Sequence, residues 1–447
     1  KDQTAHVGPA LLALRLTAEH APQMFSRPLP DGWVVLHMAL RYQTQNAEVV
    51  MEAIRLSVQH YPGIWHHSEN NSWVPLHLCV RYQDKSTDVV MRVVECTRDA
   101  NPEAFATVLS DGWTALHQAV RFQSANPSVM RALLRDSRTH FPDLLMHANG
   151  RGSLPAHLAL RHVEDVDFLR DLLQLTATDH PEAFSHPDAE GWLLLHVSLR
   201  YTQYKRGAEV AHMVLRLTAT HSPDSFGHAG SGDLPLHVAL RFNEHESVAL
   251  EALQLSLEHF GPPASLLSYT VASRWMMLHF ALRYRKDAAV MKLVHLTEEH
   301  HPAAFAHALA DGWIALHQAV QFQPGDVIRE VLRITLEHHP ASLGHVNAQN
   351  QLPLHLALFS ARLDAPLLLL LLDRTAERAP AAFGREGTGL STPLHAAMDA
   401  VKKGRPLPMV VLQRTAALTR KHAPQSVTAE DEEFLRGQLE GLERVLL

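Results

Sequence analysis

The feature that most constrains this chain is a histidine that returns about every forty residues. It sits in Leu-His-like copies at His37, His77, His117, His157, His196, His237, His279, His317, His355 and His395, in steps of 40, 40, 40, 39, 41, 42, 38, 38 and 40 residues. A period that steady belongs to a stack of like units, none of which can bury its apolar face alone. The clearest copy runs from Asp111-Gly112-Trp113 through Leu116-His117-Gln118-Ala119 to Arg121-Phe122-Gln123. Asp31 to Gln43, Glu190 to Gln203 and Asp311 to Gln323 read the same way. Length alone would divide 447 residues into about three globular domains. The repetition replaces that division with one array.

Each unit opens just after a proline: Pro22, Pro62, Pro102, Pro142, Pro181, Pro223, Pro262, Pro302, Pro340 and Pro380. Proline disfavours helix in the residue before it and cannot extend one, so each marks a helix end. A bulky apolar residue follows three positions later, as at Phe25, Trp65 and Phe105. Polar and small residues then lead to Asp-Gly-Trp, which reads as a hairpin-like finger. A first helix starts at the Trp or just after it. Pro75, Pro155, Pro235, Pro353 and Pro393 suit its first turn, where a missing N–H costs nothing. The residue two after each histidine is small, Cys79 included, which implies close approach of another helix. A second helix follows with an apolar stripe such as Val49, Val50, Ile54 and Val58. Ser or Thr near its end, as at Thr17, Ser57, Thr97, Ser137 and Thr176, can bond back to the carbonyl four residues earlier. After Thr428, with an acid three positions on, Phe434, Leu435, Leu439, Leu442 and Leu446 line one face of a closing helix.

Leu390-Ser391-Thr392-Pro393-Leu394-His395-Ala396-Ala397 contains the Thr-Pro-Leu-His-Ala-Ala core of the ankyrin repeat, and Leu352-Pro353-Leu354-His355 and Leu234-Pro235-Leu236-His237 come close. The chain therefore resembles the ankyrin family over roughly residues 11–424. It departs from that family in a period of about 40 rather than about 33 and in apolar residues such as Val34, Leu193 and Ile314 in place of the Thr. Pro102-Glu103-Ala104 and Pro181-Glu182-Ala183 look like the divergent arrays seen in algae. The resemblance implies an all-α solenoid of about ten helix-turn-helix repeats joined by fingers, with a concave partner-binding face. It implies that the motif histidine bonds the backbone of the adjoining finger. The expected layout is a half-repeat at 1–25, repeats at 26–424 and a capping helix at 425–447. Another α-solenoid of helix pairs is the alternative fold.

Composition narrows the function classes. Net charge is −7, so non-specific nucleic-acid binding is not expected. Two cysteines, Cys79 and Cys96, exclude a disulfide framework and favour a reducing, intracellular compartment, cytoplasm or organelle. The longest apolar run, Pro366 to Leu372, is far short of the ~20 residues of a membrane span. Residue 1 is Lys, so a leader removed before it cannot be checked. No Walker loop, G-x-S-x-G elbow, kinase signature or paired metal-ligand spacing is present, and no catalytic residue, metal or cofactor is expected. Gly387-Thr388-Gly389 resembles part of a phosphate loop but falls in a finger and reads as turn chemistry.

Three periodic features remain. Trp33, Trp73, Trp113, Trp192, Trp275 and Trp313 share one register and read as packing between adjacent fingers, or as an aromatic ladder for a partner. Arg41, Arg81, Arg121, Arg161, Arg200, Arg241 and Arg283 stand four after the histidine, mostly followed by an aromatic such as Tyr42, Tyr82, Phe122 or Tyr201. Stacked units would set these guanidiniums ~10 Å apart. Such a row needs counter-charges, from the fold or from an acidic partner. Histidines at the ends of second helices, from His20 and His60 to His422, can cap terminal carbonyls. With 33 histidines a response to pH near 5.5 is expected. The reading that follows is a non-catalytic protein-interaction scaffold. It would act as a linker subunit of a larger assembly, an organellar or photosynthetic one being a setting the algal look raises, or as an adaptor for an acidic protein. An enzyme or small-ligand binder in the concave groove is the alternative of another class.

Overall fold

The computed structural model describes residues 7–201, 208–360, 363–387 and 392–446. Among the described residues the regular structure is helical, with one isolated bridge between Gly230 and Asp233. The helices in chain order are α1 (Val7–His20), α2 (Val35–Tyr42), α3 (Ala47–His60), α4 (Pro75–Tyr82), α5 (Thr87–Ala100), α6 (Ala115–Phe122), α7 (Pro127–His140), α8 (Pro155–His162), α9 (Val166–Asp179), α10 (Leu194–Tyr201), α11 (Glu209–His221), α12 (Pro235–Phe242) and α13 (Glu246–His259). There follow α14 (Pro263–Ser268), α15 (Met277–Tyr284), α16 (Ala288–His300), α17 (Ala315–Phe322), α18 (Gly325–His338), α19 (Pro353–Ser360), α20 (Ala365–Arg378), α21 (Pro393–Lys402), α22 (Met409–His422) and α23 (Ala429–Leu446). The chain forms two compact units, residues 1–255 and 256–447.

Within residues 1–255 the short first helices pack in series, α2 on α4, α4 on α6, α6 on α8, α8 on α10 and α10 on α12. The longer second helices do the same from α1 through α3, α5, α7 and α9 to α11. Within residues 256–447 the first helices run α15, α17, α19, α21 and the second helices α16, α18, α20, α22. This is an all-α solenoid of repeats. The small residue after each histidine makes the close approach possible. Cys79, Ala119, Ala159 and Ala281 are fully buried between first helices.

Local rules explain the punctuation. Pro75, Pro155, Pro235, Pro353 and Pro393 occupy the first position of their helices. Thr17, Thr176, Thr297, Thr335 and Thr375 bond the carbonyl four residues back at 2.7–2.8 Å. The hydroxyls of Ser57, Thr97 and Ser137 are buried without that bond. Each second helix then meets its proline and turns through a short 3-10 segment, except that after α13 the turn is the short α-helix α14. The bulky residue of the turn is a core residue: Phe25, Phe105, Phe184, Phe226, Phe305 and Phe383 are fully buried.

The finger is a tight loop closed by Leu109 N–H to Trp113 O at 2.9 Å and Gly112 N–H to Leu109 O at 2.8 Å. Asp111 accepts the Trp113 N–H at 3.2 Å. Gly112 sits at φ +79°, where a Cβ would also lie 2.5 Å from the Gly150 nitrogen of the next finger. That approach lets Gly150 N–H reach Asp111 O at 2.9 Å, so fingers are stitched by backbone. In residues 256–447 the Ala348 N–H to Asp311 O bond at 2.8 Å repeats the stitch.

At the far end Thr428 and Asp431 form the expected capping box, N–H to carboxylate at 2.8 Å and N–H to hydroxyl at 3.2 Å. Leu435 of α23 is buried and Phe434 packs on the core. The side chains of Leu439, Leu442 and Leu446 lie outside the described residues, as do Thr388, Gly389, Leu390, Ser391 and Gln203.

Candidate protein-binding face

The tryptophans lie along their own first helices. Trp33 packs tilted against Tyr42 at 6.2 Å between ring centroids, Trp73 against Tyr82 at 6.3 Å and Trp113 against Phe122 at 6.1 Å. Trp275 and Trp313 repeat this with Tyr284 at 6.0 Å and Phe322 at 6.1 Å. Each also touches its motif histidine, as Trp33 does His37 at 5.9 Å. The Trp, two residues before the helix, thus also lies over that helix's own last turn. Trp192 reaches the next finger as well, donating to Ser231 Oγ at 3.1 Å.

The arginines complete these stacks. The Arg41 guanidinium carbon is 5.2 Å from the Trp33 ring, 5.6 Å from Tyr42 and 5.2 Å from Tyr82 of the next repeat. Arg81 stands likewise over Trp73, Tyr82 and Phe122, the last at 4.9 Å. Arg200 stands over Trp192, Tyr201 and Phe242, the last at 4.5 Å. Arg121 and Arg241 stack on Phe122 and Phe242. In residues 256–447, Arg283 lies 3.8 Å from the Phe322 ring centre. Such contacts contribute about 0.5–1 kcal/mol per guanidinium at an exposed site. It uses the face of the guanidinium and leaves N–H groups at its edge for a carboxylate.

The seven arginines are not equivalent. Arg161 is bolted to Asp188 at 2.6 Å, and that buried carboxylate also accepts the Glu190 and Trp192 N–H groups of its finger at 2.9 Å. Arg161 therefore holds the finger. Arg121 contacts His162 Nδ1 at 3.2 Å. Arg41, Arg81, Arg200 and Arg283 make no ion pair with a carboxylate among the described residues. Tyr42 and Tyr201 are exposed, and Tyr82 and Phe122 are half-buried.

The motif histidines build the opposite kind of surface. Nδ1 of His117, His157, His196, His279 and His317 accepts the N–H of the residue three before it, at 3.2–3.4 Å. The proton is therefore on Nε2, which donates to carbonyls of the next finger: Ser153, Trp192, Asp233, His307 and Gln351, at 3.0–3.3 Å. His77 reaches Thr107 O at 3.2 Å. Nδ1 of His237 and His355 accepts the N–H of Leu234 and Leu352. Burial pushes His37, His77, His117, His196 and His317 down to about 4, and His157, His237 and His279 to about 3. His395 has no further finger to reach and meets Asp431 of α23 at 3.3 Å.

A second set of histidines escaped the sequence reading. His67, His147, His186, His228 and His345 bond the carbonyls of Gly32, Gly112, Gly152, Gly191 and Gly312 in the preceding finger, at 2.8–3.2 Å. Each lies against the motif histidine of that repeat, as His147 does His117 at 5.9 Å. Their signal was their place two residues after the buried apolar turn residue. The glutamine six after the motif histidine was a further miss. Gln83 donates to Leu40 O at 2.6 Å, Gln123 to Val80 O at 2.7 Å and Gln323 to Leu282 O at 2.6 Å, tying first helices together. The helix-end histidines act across repeats. His60 stacks on Phe25 at 5.5 Å and His221 on Phe184 at 6.1 Å, while His180 reaches Pro142 O at 3.2 Å.

Other chemistry is muted. Cys79 and Cys96 are free, and burial raises both thiols. Among the described residues Glu298, Glu337 and His338 could share a cation, but Arg333 already stands there, 2.7 Å from Glu298 and 3.0 Å from Glu337. No helix among the described residues is long and apolar enough to cross a membrane.

Stacked helix pairs, fingers and histidines that tie one repeat to the next define a helical repeat protein. Residues 111–143 match the family model of the ankyrin repeat, and the array is consistent with an ankyrin-like repeat family. A search of curated proteins finds no match to the chain.

Proposed function

We propose that the chain is a non-catalytic scaffold that binds a protein partner along the arginine–aromatic face, and that the contacted segment of the partner is acidic. Ankyrin repeats generally mediate protein–protein interaction and are typically non-enzymatic. The observation that carries the finer reading is Arg41 and Arg81, stacked on rings and making no ion pair with a carboxylate among the described residues. Pre-ordered guanidiniums bind carboxylates without first freezing a flexible side chain. Tyr42, Tyr82, Phe122 and Tyr201 supply the aromatic surface that interfaces favour. Arg161 supports the face from within rather than contacting the partner.

Cross-linking mass spectrometry on the protein in its native extract tests this. Links flanking Arg41, Arg81 and Arg200 support the reading, and links confined to the second helices overturn it. Salt-resistant links into one large complex would make the chain a structural subunit. Salt-labile links would make it an adaptor.

A further inference from the structure

Neighbouring arginines of the row share a ring. Arg41 and Arg81 lie 5.2 and 5.6 Å from the Tyr82 ring centre, so their guanidinium carbons are at most about 11 Å apart. Arg81 and Arg121 bracket Phe122 at 4.9 and 5.9 Å, which sets the same limit. The helices that carry them, α2, α4 and α6, pack side by side, and helix axes in contact keep ~8–10 Å. The cations therefore repeat at ~8–11 Å, with an aromatic ring between each pair. The strip they form is narrow. In α4 every residue before Arg81 is buried, and in α6 every residue before Arg121. Only the helix ends reach the surface, Arg81 with Tyr82 and Arg121 with Phe122. Both α4 and α6 have a repeat on either side, so nothing further in the array is left to cover them.

That spacing selects among the regular conformations of a bound chain. A β-strand shows one face at every second residue, at ~7 Å and then ~13 Å, which straddles the arginine spacing. An α-helix returns to one face after seven residues, at ~10.5 Å, but with its side chains it is ~10–12 Å wide and is held in a groove, not on a strip of helix ends. Polyproline II has three residues per turn and returns to one face every ~9.3 Å. From this match, and resting on the acidic-partner reading above, we propose that the bound segment is a polyproline II strand with a carboxylate at every third residue. One carboxylate meets the edge of each guanidinium, and the residues between, prolines above all, lie on the Tyr82 and Phe122 rings. Proline-rich segments dock on aromatic-lined surfaces and enter already ordered. Arg121 gives one nitrogen to His162, and Arg161 is held by Asp188, so the run of available cations ends at Arg121. Three acids across about seven residues of the partner span it.

The probe is a dye-labelled peptide of repeated Glu-Pro-Pro, titrated into the full chain by fluorescence anisotropy. A control peptide of the same composition carries its glutamates in one block, and a second replaces each proline by glycine. The periodic peptide should bind about tenfold tighter than either control. Arg81→Gln and Arg121→Gln, with the helical signal unchanged, should each erase most of that advantage. The peptide comparison on the parent chain needs no variant and decides by itself. Equal, salt-sensitive affinity for the periodic and block peptides overturns the three-residue register and leaves the acidic-partner reading standing. No binding of any acidic peptide overturns both. Equal affinity for the glycine peptide, or tighter binding of a stapled helix with glutamate at every seventh residue, overturns the polyproline II conformation.

Discussion

Two faces of the same repeats treat their polar groups in opposite ways. On the finger side Asp111 accepts the Trp113 and Gly150 N–H groups, His117 bonds the Ser153 carbonyl and His147 bonds the Gly112 carbonyl. On the first-helix side Arg41 and Arg81 are stacked on rings but make no ion pair with a carboxylate among the described residues. A surface that satisfies itself holds the array together. A surface that is ordered yet under-satisfied is ready for another molecule. The difference predicts that perturbing the finger side costs stability and perturbing the arginine side costs binding.

The largest effect is expected from acid. Eight buried histidines are held neutral, with pKa values of about 4 or about 3 in the folded chain against 6.5 in a free imidazole. Below 6.5 the unfolded chain binds protons that the folded chain refuses. Their contribution is therefore complete above about pH 6.5 and is lost as pH falls toward the folded values. Each group costs ~1.4 kcal/mol per pH unit in that window. The melting temperature should be flat from pH 7 to 8 and drop steeply between pH 6 and 5. A flat profile down to pH 5.5 would refute the neutral lattice.

Next is the finger glycine. Gly112→Ala meets both a left-handed backbone angle and the Gly150 nitrogen at 2.5 Å, whereas Gly232→Ala, at φ +93°, has open space. The backbone penalty of ~1–2 kcal/mol is common to both. The stitch between fingers is broken only by the first. Chemical denaturation should show Gly112→Ala to be the more damaging of the two. Equal losses would mean that the close approach contributes nothing.

A smaller effect is expected at the end of the array. Asp431 is buried, which alone would raise its pKa, but the Thr428 N–H and hydroxyl and the His395 imidazole hold it below the usual carboxylate value. Asp431→Asn keeps the shape and removes the charge, at a cost of ~1 kcal/mol. Hydrogen exchange in α23 should speed up, with repeats nearer the start of the chain unaffected.

How much of this was legible follows from how far each cause reaches. Prolines, the capping box and the Asp-Gly turn act within a few residues, and Pro75, Thr428 and Gly112 stand where local rules place them. The small residue after each histidine announced helix contact. His147 and Gln123 went unassigned because their partners, Gly112 O and Val80 O, are more than thirty residues away and are backbone atoms with no identity in sequence. The arginine row was visible as a register. That Arg161 faces Asp188 while Arg81 faces rings depends on which finger carries the acid at that height.

The smallest expected change in stability is at Arg81, and it is the one that decides the comparison. Arg81→Glu removes cation–π contacts with Trp73, Tyr82 and Phe122, worth ~1 kcal/mol together at a half-exposed site. The aliphatic stem of glutamate still covers part of the rings, so the melting temperature should fall by only a degree or two. Binding of an acidic partner should fall far more, because a favourable charge becomes a repulsive one within the row. The loss should shrink as salt is raised, with a Debye length of ~10 Å at 0.1 M bringing the variant and the parent together. Arg161→Glu should do the reverse, since it strands the buried Asp188 carboxylate and loosens a finger. If Arg81 proved as damaging to stability as Arg161, the arginine row would be scaffolding throughout, and the partner face would have to lie elsewhere on the repeats.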